Sequence, residues 1–230
     1  MAVSSNTLFH FTRDYDTLTK ILKGMSFWPR YCQEFGWNSS FAVPMTCFCD
    51  IPLSQIKNHI DTYGSYGIGM SKEFAIKNEI NPIFYVTKAS LSLFALLTKS
   101  GNVSRKEKVR KAIVRIKPYE SWNIIRENRI ENYKYYDERE WRYVPTKLSL
   151  DNLCIKIDKN TNINEFHHLT NNEDCKLKFS SEDVDYLFVK SENKRKELIS
   201  FIDREMQIQN QERDLFISKI LTESQILNDF

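Results

Sequence analysis

The sequence predicts an α+β fold, because short apolar strand-like segments alternate with helix-like segments along its 230 residues. Hydrophobic residues make up 41% of the chain and charged residues 27%, so a core can form and extensive disorder is excluded. Only six glycines are present, which excludes collagen-like, glycine-rich linker and glycine-punctuated repeat architectures. The length suits one compact domain, with or without a small appendage.

Several segments have the apolar or alternating pattern that is typical of strands. Thr7–Phe11 comes first in the chain, and Phe41–Cys49 reads as a buried strand. The remaining predicted strands are Ile83–Thr87, Arg139–Pro145, Leu153–Ile157 and Tyr186–Val189. The aromatic and irregular stretch Ser26–Ser40 predicts a loop, and Asn81-Pro82 predicts a turn.

Helical spacing of apolar residues first occurs at Leu18, Ile21 and Leu22, which predicts a helix over Asp14–Lys23 with Gly24 as its terminator. Further helices are predicted at Pro52–Tyr63, Ser71–Lys77, Leu91–Lys99, Glu192–Glu205 and Glu212–Leu227, and Ser104–Ile116 is predicted to be a helix or a helix followed by a strand. We expect one domain over residues 1–190 and a C-terminal helical extension over residues 191–230, which packs on that domain or on a partner.

The chain opens without the pattern of a secretory signal, and its five cysteines are an odd number. We therefore expect a cytoplasmic protein with reduced thiols. The apolar stretch Leu91–Leu97 is far shorter than the ~20 residues that a membrane helix needs. Cys47-x-Cys49 lacks the second ligand pair of a zinc site, so no metal centre is predicted.

Two segments in the first third of the chain are candidates for ligand binding. His10 and Thr12 would point to the same face of the first strand, where one pocket could use both side chains. Glycines follow Tyr63 and Tyr66, and glycine lets a backbone approach a ligand while tyrosine rings offer stacking faces. The structural alternatives are a histidine satisfied within the fold and a tight turn that leads into a strand.

A third candidate is the charged strand around Glu140. Glu138, Glu140 and Arg142 would share one strand face, whereas Trp141 and Tyr143 would share the other face, which we expect to be the core side. A carboxylate beside an arginine stays ionised and could face a ligand. The alternative is a cross-strand charge ladder on a solvated face.

A basic run precedes this strand, and its phosphate-binding candidates are Arg105, Lys106, Lys108, Arg110 and Lys111. Such a run could contact the backbone of a nucleic acid, or it could be one solvated face of a helix. The formal net charge of +3 does not by itself require nucleic acid.

Longer motifs of the sequence resemble those of a known family. The segment Leu8-Phe9-His10-Phe11-Thr12, the segment Pro44 to Ser54 (PMTCFCDIPLS) and the segment Tyr63 to Gly69 (YGSYGIG) together resemble the AbiGi-type phage-resistance proteins. The later segment Glu138 to Arg142 resembles the same family. In layout these domains are similar to ADP-ribosyltransferases of the His–Tyr–Glu kind, and that likeness implies a split β-sheet core with flanking helices.

The resemblance to transferases implies roles for individual residues. His10, with Phe11 and Thr12 beside it, would hold the ribose of NAD, the co-substrate. Tyr66 or Tyr63 would stack on the nicotinamide. Glu140, with Glu138 as its neighbour, would orient the ribose as the nicotinamide bond breaks, where a carboxylate stabilises the developing positive charge.

We therefore expect an NAD-dependent ADP-ribosyltransferase toxin of a bacterial anti-phage system, which would modify nucleic acid and would be restrained by a cognate antitoxin or regulator. The alternative is a non-catalytic, antitoxin-like regulator on a degenerate transferase fold. A third reading is an RNA-binding protein or nuclease that uses His10 and a carboxylate pair. The sequence does not decide whether the chain is the toxin or the antitoxin of such a pair.

Overall fold

The computed structural model describes residues 4–35, 40–87, 90, 112, 114–125 and 128–229. Its secondary structure is mixed α+β, as the sequence predicts. The chain forms two compact units. The first unit comprises Met1–Phe27, Phe48–Glu79 and Lys178–Phe230, and the second comprises Trp28–Cys47 and Ile80–Leu177. The predicted helix Leu91–Lys99, and most of the predicted segment Ser104–Ile116, lie outside the described residues.

The described strands, in chain order, are β1 Thr7–Thr12, β2 Ser26–Phe27, β3 Arg30–Phe35, β4 Ser40–Cys49, β5 Tyr66–Ser71, β6 Asn81–Pro82, β7 Phe84–Val86, β8 Ile116–Pro118, β9 Glu120–Ile125, β10 Asn128–Lys134, β11 Glu140–Tyr143, β12 Ile155–Ile157, β13 Leu177–Lys178, β14 Val184–Val189 and β15 Ile220–Thr222. The described α-helices are α1 Tyr15–Gly24, α2 Lys57–Tyr63, α3 Lys72–Lys77, α4 Leu150–Leu153, α5 Glu192–Glu205, α6 Asn210–Ser218 and α7 Glu223–Asp229. Short 3-10 helices occur at Leu53–Gln55, Tyr135–Glu138, Ile163–Thr170, Glu173–Cys175 and Ser181–Asp183.

The first unit is built on a sheet with the strand order β15-β14-β5-β1. β1 and β5 are antiparallel, with Thr7 opposite Ser71 and Thr12 opposite Tyr66. β14 is antiparallel to β5, and β15 runs parallel to β14. A cluster of buried apolar side chains packs on this sheet and includes Phe9, Ile51, Ile56, Ile60, Phe188 and Ile226.

The sequence predicts one helix over Glu212–Leu227, but the structure divides this segment into two helices and a strand. α6 ends at Ser218, and Ile220–Thr222 forms β15 before α7 begins. The strand forms because it pairs with the edge of β14, where the Leu187 amide donates to the carbonyl of Lys219 over 2.9 Å. Its first residue, Ile220, is buried within the first unit, as is Phe216 of α6.

The second unit centres on β4, which pairs with β3 and with β12, both antiparallel. The predicted loop over Ser26–Ser40 is therefore wrong, because β2 and β3 lie within it. Tyr31 of β3 is 4% exposed, and its hydroxyl donates to the carbonyl of Asn152 over 2.6 Å. Burial of such an aromatic ring, together with pairing to β4, stabilises a strand in a stretch that lacks simple alternation.

A second correction concerns Asn81-Pro82, which the sequence predicts to be a turn. These residues form β6, in which Pro82 pairs with Trp141 and Asn81 with Arg142 of β11. A proline is compatible with such a short strand because only one of its edges is paired. In the same unit, β9 and β10 form an antiparallel hairpin, and β7 and β8 pair in parallel.

The end of α1 also differs in detail from its prediction. Gly24 is the last helical residue, and Met25 takes the left-handed conformation with φ 42°. The Met25 amide donates to the carbonyl of Leu22 over 3.0 Å, which closes the helix.

Gly64 links α2 to β5 and is a position where glycine is required. Its φ is +122°, and a Cβ atom there would lie 2.4 Å from the carbonyl oxygen of Thr12 and 2.6 Å from Cα of Arg13. We expect Gly64→Ala to lower the free energy of unfolding by about 2 kcal/mol, because it combines backbone strain with a backbone clash. Denaturant titration measures this change. Ser65→Ala, at the next residue, is the control and should change stability by less than about 0.5 kcal/mol.

Candidate functional site

The first unit places three of the predicted ligand-binding residues on one face of its sheet. Thr12 lies directly opposite Tyr66, and His10 lies two residues from Thr12 on the same strand, so the three side chains share a face. The His10 ring contacts Phe27 edge-on, with ring centres 5.1 Å apart. Tyr66 is 8% exposed, and its ring packs edge-on against Tyr15 at 5.8 Å.

Phe11 and Tyr63, the other residues proposed to bind NAD, lie in different surroundings. Phe11 points to the opposite sheet face, where its ring contacts Phe9 at 5.9 Å and Phe188 at 6.0 Å. Tyr63 ends α2, is 38% exposed and contacts the ring of His59 at 5.7 Å. The NAD-binding roles of these residues remain predictions.

The second unit contains a buried charge cluster, which we define as Glu34, Lys117, Glu138, Glu140 and Arg142. Lys117 Nζ lies 2.7 Å from Glu138 Oε2 and 3.0 Å from Glu140 Oε2. The side chains of all three are at most 14% exposed. The Lys117 ammonium therefore bridges two buried carboxylates.

Arg142 is the centre of the cluster and is 0% exposed. Its Nε donates to Glu140 Oε1 over 2.6 Å, and its Nη2 donates to Glu140 Oε2 over 3.1 Å. Nη2 also donates to Glu34 Oε1 over 2.9 Å, and Nη1 donates to the backbone carbonyl of Val114 over 3.0 Å. The guanidinium thus binds Glu140 through two nitrogens and ties β11 to β3.

The surroundings of Glu140 set its charge. Burial alone would raise the pKa of this carboxyl, but the Arg142 guanidinium and the Lys117 ammonium outweigh burial and hold the pKa well below its usual range. The Cys47 thiol donates a hydrogen bond to the same carboxylate, and burial raises the pKa of that thiol. The backbone amide of Glu140 donates to the Tyr85 hydroxyl over 2.8 Å. Glu140 is therefore ionised and hydrogen-bonded from several directions.

The structure reverses the faces that the sequence predicts for this strand. Glu140 and Arg142 are on the buried face, whereas Trp141 and Tyr143 are only half-buried. Glu138 lies in the preceding 3-10 turn rather than in the strand, and Arg139 between the two has φ 45°. The polar face is buried because Lys117 and Glu34 supply compensating charge from other strands.

Lys117, Glu34 and Cys47 were not among the residues that the sequence singles out for this site. Lys117 follows the basic run and directly precedes Pro118, and nothing local in the sequence separates it from solvated lysines. Its position in β8 is a finding of the structure. Lys117 also contacts an aromatic ring, since its Nζ lies 4.5 Å from the centre of the Tyr135 ring. The residues Arg105, Lys106, Lys108, Arg110 and Lys111, proposed to bind nucleic acid, lie outside the described residues.

The low pKa of Glu140 predicts how stability depends on pH. As pH falls below 4.5, the ordinary value, the unfolded state binds this proton before the folded state does. The stabilisation by the ionised Glu140 is therefore complete above that pH and is lost as pH falls towards the folded-state pKa. We expect the difference in unfolding free energy between wild type and Glu140→Gln to shrink between pH 7 and pH ~3.

Denaturant titrations at a series of pH values measure this difference. The control is Glu165→Gln, at an exposed residue, where we expect the substitution to change the unfolding free energy by less than about 0.5 kcal/mol. A Glu140→Gln difference that does not change over the range would contradict the ionised, charge-stabilised state of Glu140.

The candidate residues divide between the two units. His10, Thr12, Tyr63 and Tyr66 belong to the first unit, whereas Glu138 and Glu140 belong to the second. The meeting of these residues around one dinucleotide remains a prediction of the transferase resemblance.

Within the described ranges, no group of three or more His, Cys, Asp or Glu side chains is placed to hold a metal ion. No helix in those ranges combines the length and apolar composition needed to cross a membrane.

Comparison with known proteins identifies the class. A family model described as "Putative abortive phage resistance protein AbiGi, antitoxin" matches residues 25–190. A curated protein of Lactococcus lactis subsp. cremoris named "Abortive phage resistance protein AbiGi" is 32% identical over 222 residues, covering 82% of this chain and 89% of that protein. No solved structure matches the chain.

These matches place the chain among the abortive phage resistance proteins. Within that class it belongs to the AbiGi family, which confirms the resemblance seen in its motifs.

Proposed function

We propose that this protein is the antitoxin-like regulator of an abortive-infection system, which binds and restrains a cognate toxin and carries out no NAD chemistry of its own. The family description names an antitoxin, and that word supports the regulator over the toxin. The protein would act in the cytoplasm, where a toxin must be restrained before infection.

The observation that carries the proposal is the engagement of Glu140. A transferase glutamate must offer a carboxylate oxygen to the ribose of its substrate. Here Oε1 accepts from Arg142, and Oε2 accepts from both Arg142 and Lys117, while the side chain is 8% exposed. Exposing an oxygen would mean breaking a buried ion pair, which costs about 3–5 kcal/mol. Glu140 thus fits a structural role in the second unit better than a catalytic one.

The second candidate function is the NAD-dependent ADP-ribosyltransferase toxin acting on nucleic acid. The observation that favours it is the shared sheet face of His10, Thr12 and Tyr66, which supplies the first two positions of the His–Tyr–Glu pattern. Under this reading the Glu140 ion pairs would have to rearrange when NAD binds.

Growth and labelling assays distinguish the two. Under the proposed function, expression of wild type alone leaves bacterial growth unchanged. In a screen of genomic fragments from the native host, co-expression of this chain then relieves the growth arrest caused by one toxin gene. Purified protein incubated with labelled NAD, RNA, DNA and lysate transfers no label.

The transferase would give opposite results. Wild type alone would arrest growth, His10→Ala or Glu140→Ala would restore it, and an acceptor would be labelled by wild type but not by Glu140→Gln. Because Glu140→Gln is also expected to affect folding, His10→Ala serves as the matched variant in the first unit. Toxicity of wild type that His10→Ala abolishes would overturn the regulator.

A further inference from the structure

The 3-10 segment Ile163–Thr170, which we call the edge clamp, packs against β3 in the second unit. Among the described strands, β3 pairs with β4 alone, and Tyr31 lies opposite Pro44 in that pairing. The backbone amide of Tyr31 donates to Nδ1 of the His167 ring over 3.3 Å. An imidazole of the edge clamp thus accepts the hydrogen bond that a neighbouring strand would otherwise accept from this amide.

Two further contacts hold the edge clamp in place. The Thr170 hydroxyl, which is buried, donates to the carbonyl of Pro29 over 2.9 Å, directly before β3 begins. The Phe166 ring packs against the Tyr31 ring, with centres 5.8 Å apart. Neither of these contacts involves a group that titrates near neutral pH, whereas the His167 hydrogen bond does.

Protonation of His167 would reverse the sense of its hydrogen bond. Because Nδ1 accepts from Tyr31, the neutral imidazole carries its proton on Nε2. A second proton would add a hydrogen to Nδ1, and this hydrogen would face the N–H of Tyr31. Two donors cannot share a hydrogen bond, so the imidazolium would lose this contact and leave the amide without its acceptor.

The surroundings of His167 favour its neutral form. Burial lowers the pKa of this imidazole, and the positive charge of Arg30, at the start of β3, lowers it further. Glu165 and His168, the other titratable groups of the edge clamp, are exposed, and His168 Nδ1 lies 2.6 Å from the carbonyl oxygen of Glu165. At neutral pH the His167 ring is therefore an uncharged acceptor.

We propose that the edge clamp is acid-sensitive: it holds the edge of β3 while His167 is neutral and releases that edge when His167 binds a proton. Release would leave backbone groups of β3 unpaired, and such an edge can pair with another strand. Because the pKa in the closed state lies below 6.5, the released state binds the proton first. The hold is thus complete above pH 6.5 and is lost as pH falls through the closed-state value.

Hydrogen exchange of the Tyr31 amide in the full chain, measured by NMR at pH ~7.5 and pH ~5 and corrected for intrinsic rates, tests this proposal. We expect its protection in wild type to fall about three- to tenfold at the lower pH, the size of one hydrogen bond. Glu140 does not contribute to this change, because both conditions lie above its ordinary pKa of 4.5.

Two matched variants assign the change to His167. His167→Asn offers an oxygen acceptor near the position of Nδ1 but does not titrate, so its Tyr31 protection should change less than about twofold between the two conditions. His168→Asn, at the exposed neighbour, is the control and should behave as wild type does.

Wild-type protection of Tyr31 that is the same at both pH values would overturn the proposal, as would an equal fall in His167→Asn. Titration of the His167 ring by NMR provides a test that needs no variant. Its midpoint should lie below 6.5, and a midpoint at or above that value would mean that the closed state does not disfavour the imidazolium. That result would also reject the acid-sensitive clamp.

Discussion

Arg142→Met is expected to lower the free energy of unfolding of the second unit by about 3–5 kcal/mol, the cost of removing one partner from a buried ion pair. Arg142 is fully buried and its guanidinium binds both Glu34 and Glu140. Methionine fills much of the same volume but leaves two carboxylates short of a counter-charge in a poorly solvated site. It also leaves the carbonyl of Val114 without this donor.

Tryptophan fluorescence during denaturant titration measures this loss, because the sequence positions of all four tryptophans fall within the second unit. The double variant Arg142→Met/Glu140→Gln removes the Arg142 cation together with the Glu140 carboxylate that this cation neutralises. We therefore expect the double variant to be more stable than the sum of the two single effects predicts, by about 1–3 kcal/mol. Additive single effects would show that the pair does not act as a unit.

Lys117→Met is the second large effect, and we again expect a loss of about 3–5 kcal/mol. The ammonium of Lys117 contacts two buried carboxylates, Glu138 and Glu140, and its own pKa is raised well above the usual value because their charges outweigh the effect of burial. Without it, like charges from neighbouring carboxylates face each other across a site that excludes most water.

The matched control is Lys147→Met in the same unit. Lys147 pairs with Asp174 over 2.5 Å, but the two side chains are 65% and 67% exposed. Solvent screens such a pair, so we expect its loss to cost less than about 1 kcal/mol. Equal effects of Lys117→Met and Lys147→Met in fluorescence-monitored denaturation would contradict the structural importance of the buried cluster.

Both effects bear on the choice between regulator and transferase. If the protein is a transferase, a substitution at Glu140 abolishes function by removing catalysis. If the protein is a regulator, the same substitution abolishes function by destabilising the second unit. Comparing stability with activity for Glu140→Gln therefore matters more than activity alone. In the regulator, loss of toxin relief should follow loss of folded protein in Arg142→Met and Lys117→Met.

The sequence was a good guide where local signals are strong. The strand predicted at Thr7–Phe11 is observed at Thr7–Thr12, and the helix predicted at Glu192–Glu205 has the same bounds in the structure. The Ser71 side chain caps α3. The helix predicted at Pro52–Tyr63 is instead a 3-10 turn followed by α2. β15 was missed because its main stabilisation comes from parallel pairing with β14, which lies well before it in the chain. β3 was missed because its segment lacks simple alternation, although its partner β4 is the next strand along the chain.

By itself the sequence determined the α+β class, the family motifs and the importance of the segment from Glu138 to Arg142. Only the tertiary structure decided that the charged face of β11 is the buried one. Alternation specifies that Glu140 and Arg142 share a face, but it cannot say which face meets the interior. That depends on Glu34, which is 108 positions from Arg142, and on Lys117, which is 23 positions from Glu140. A buried charge is tolerated only where an opposite charge lies close enough to compensate it. Only the fold brings these distant residues together.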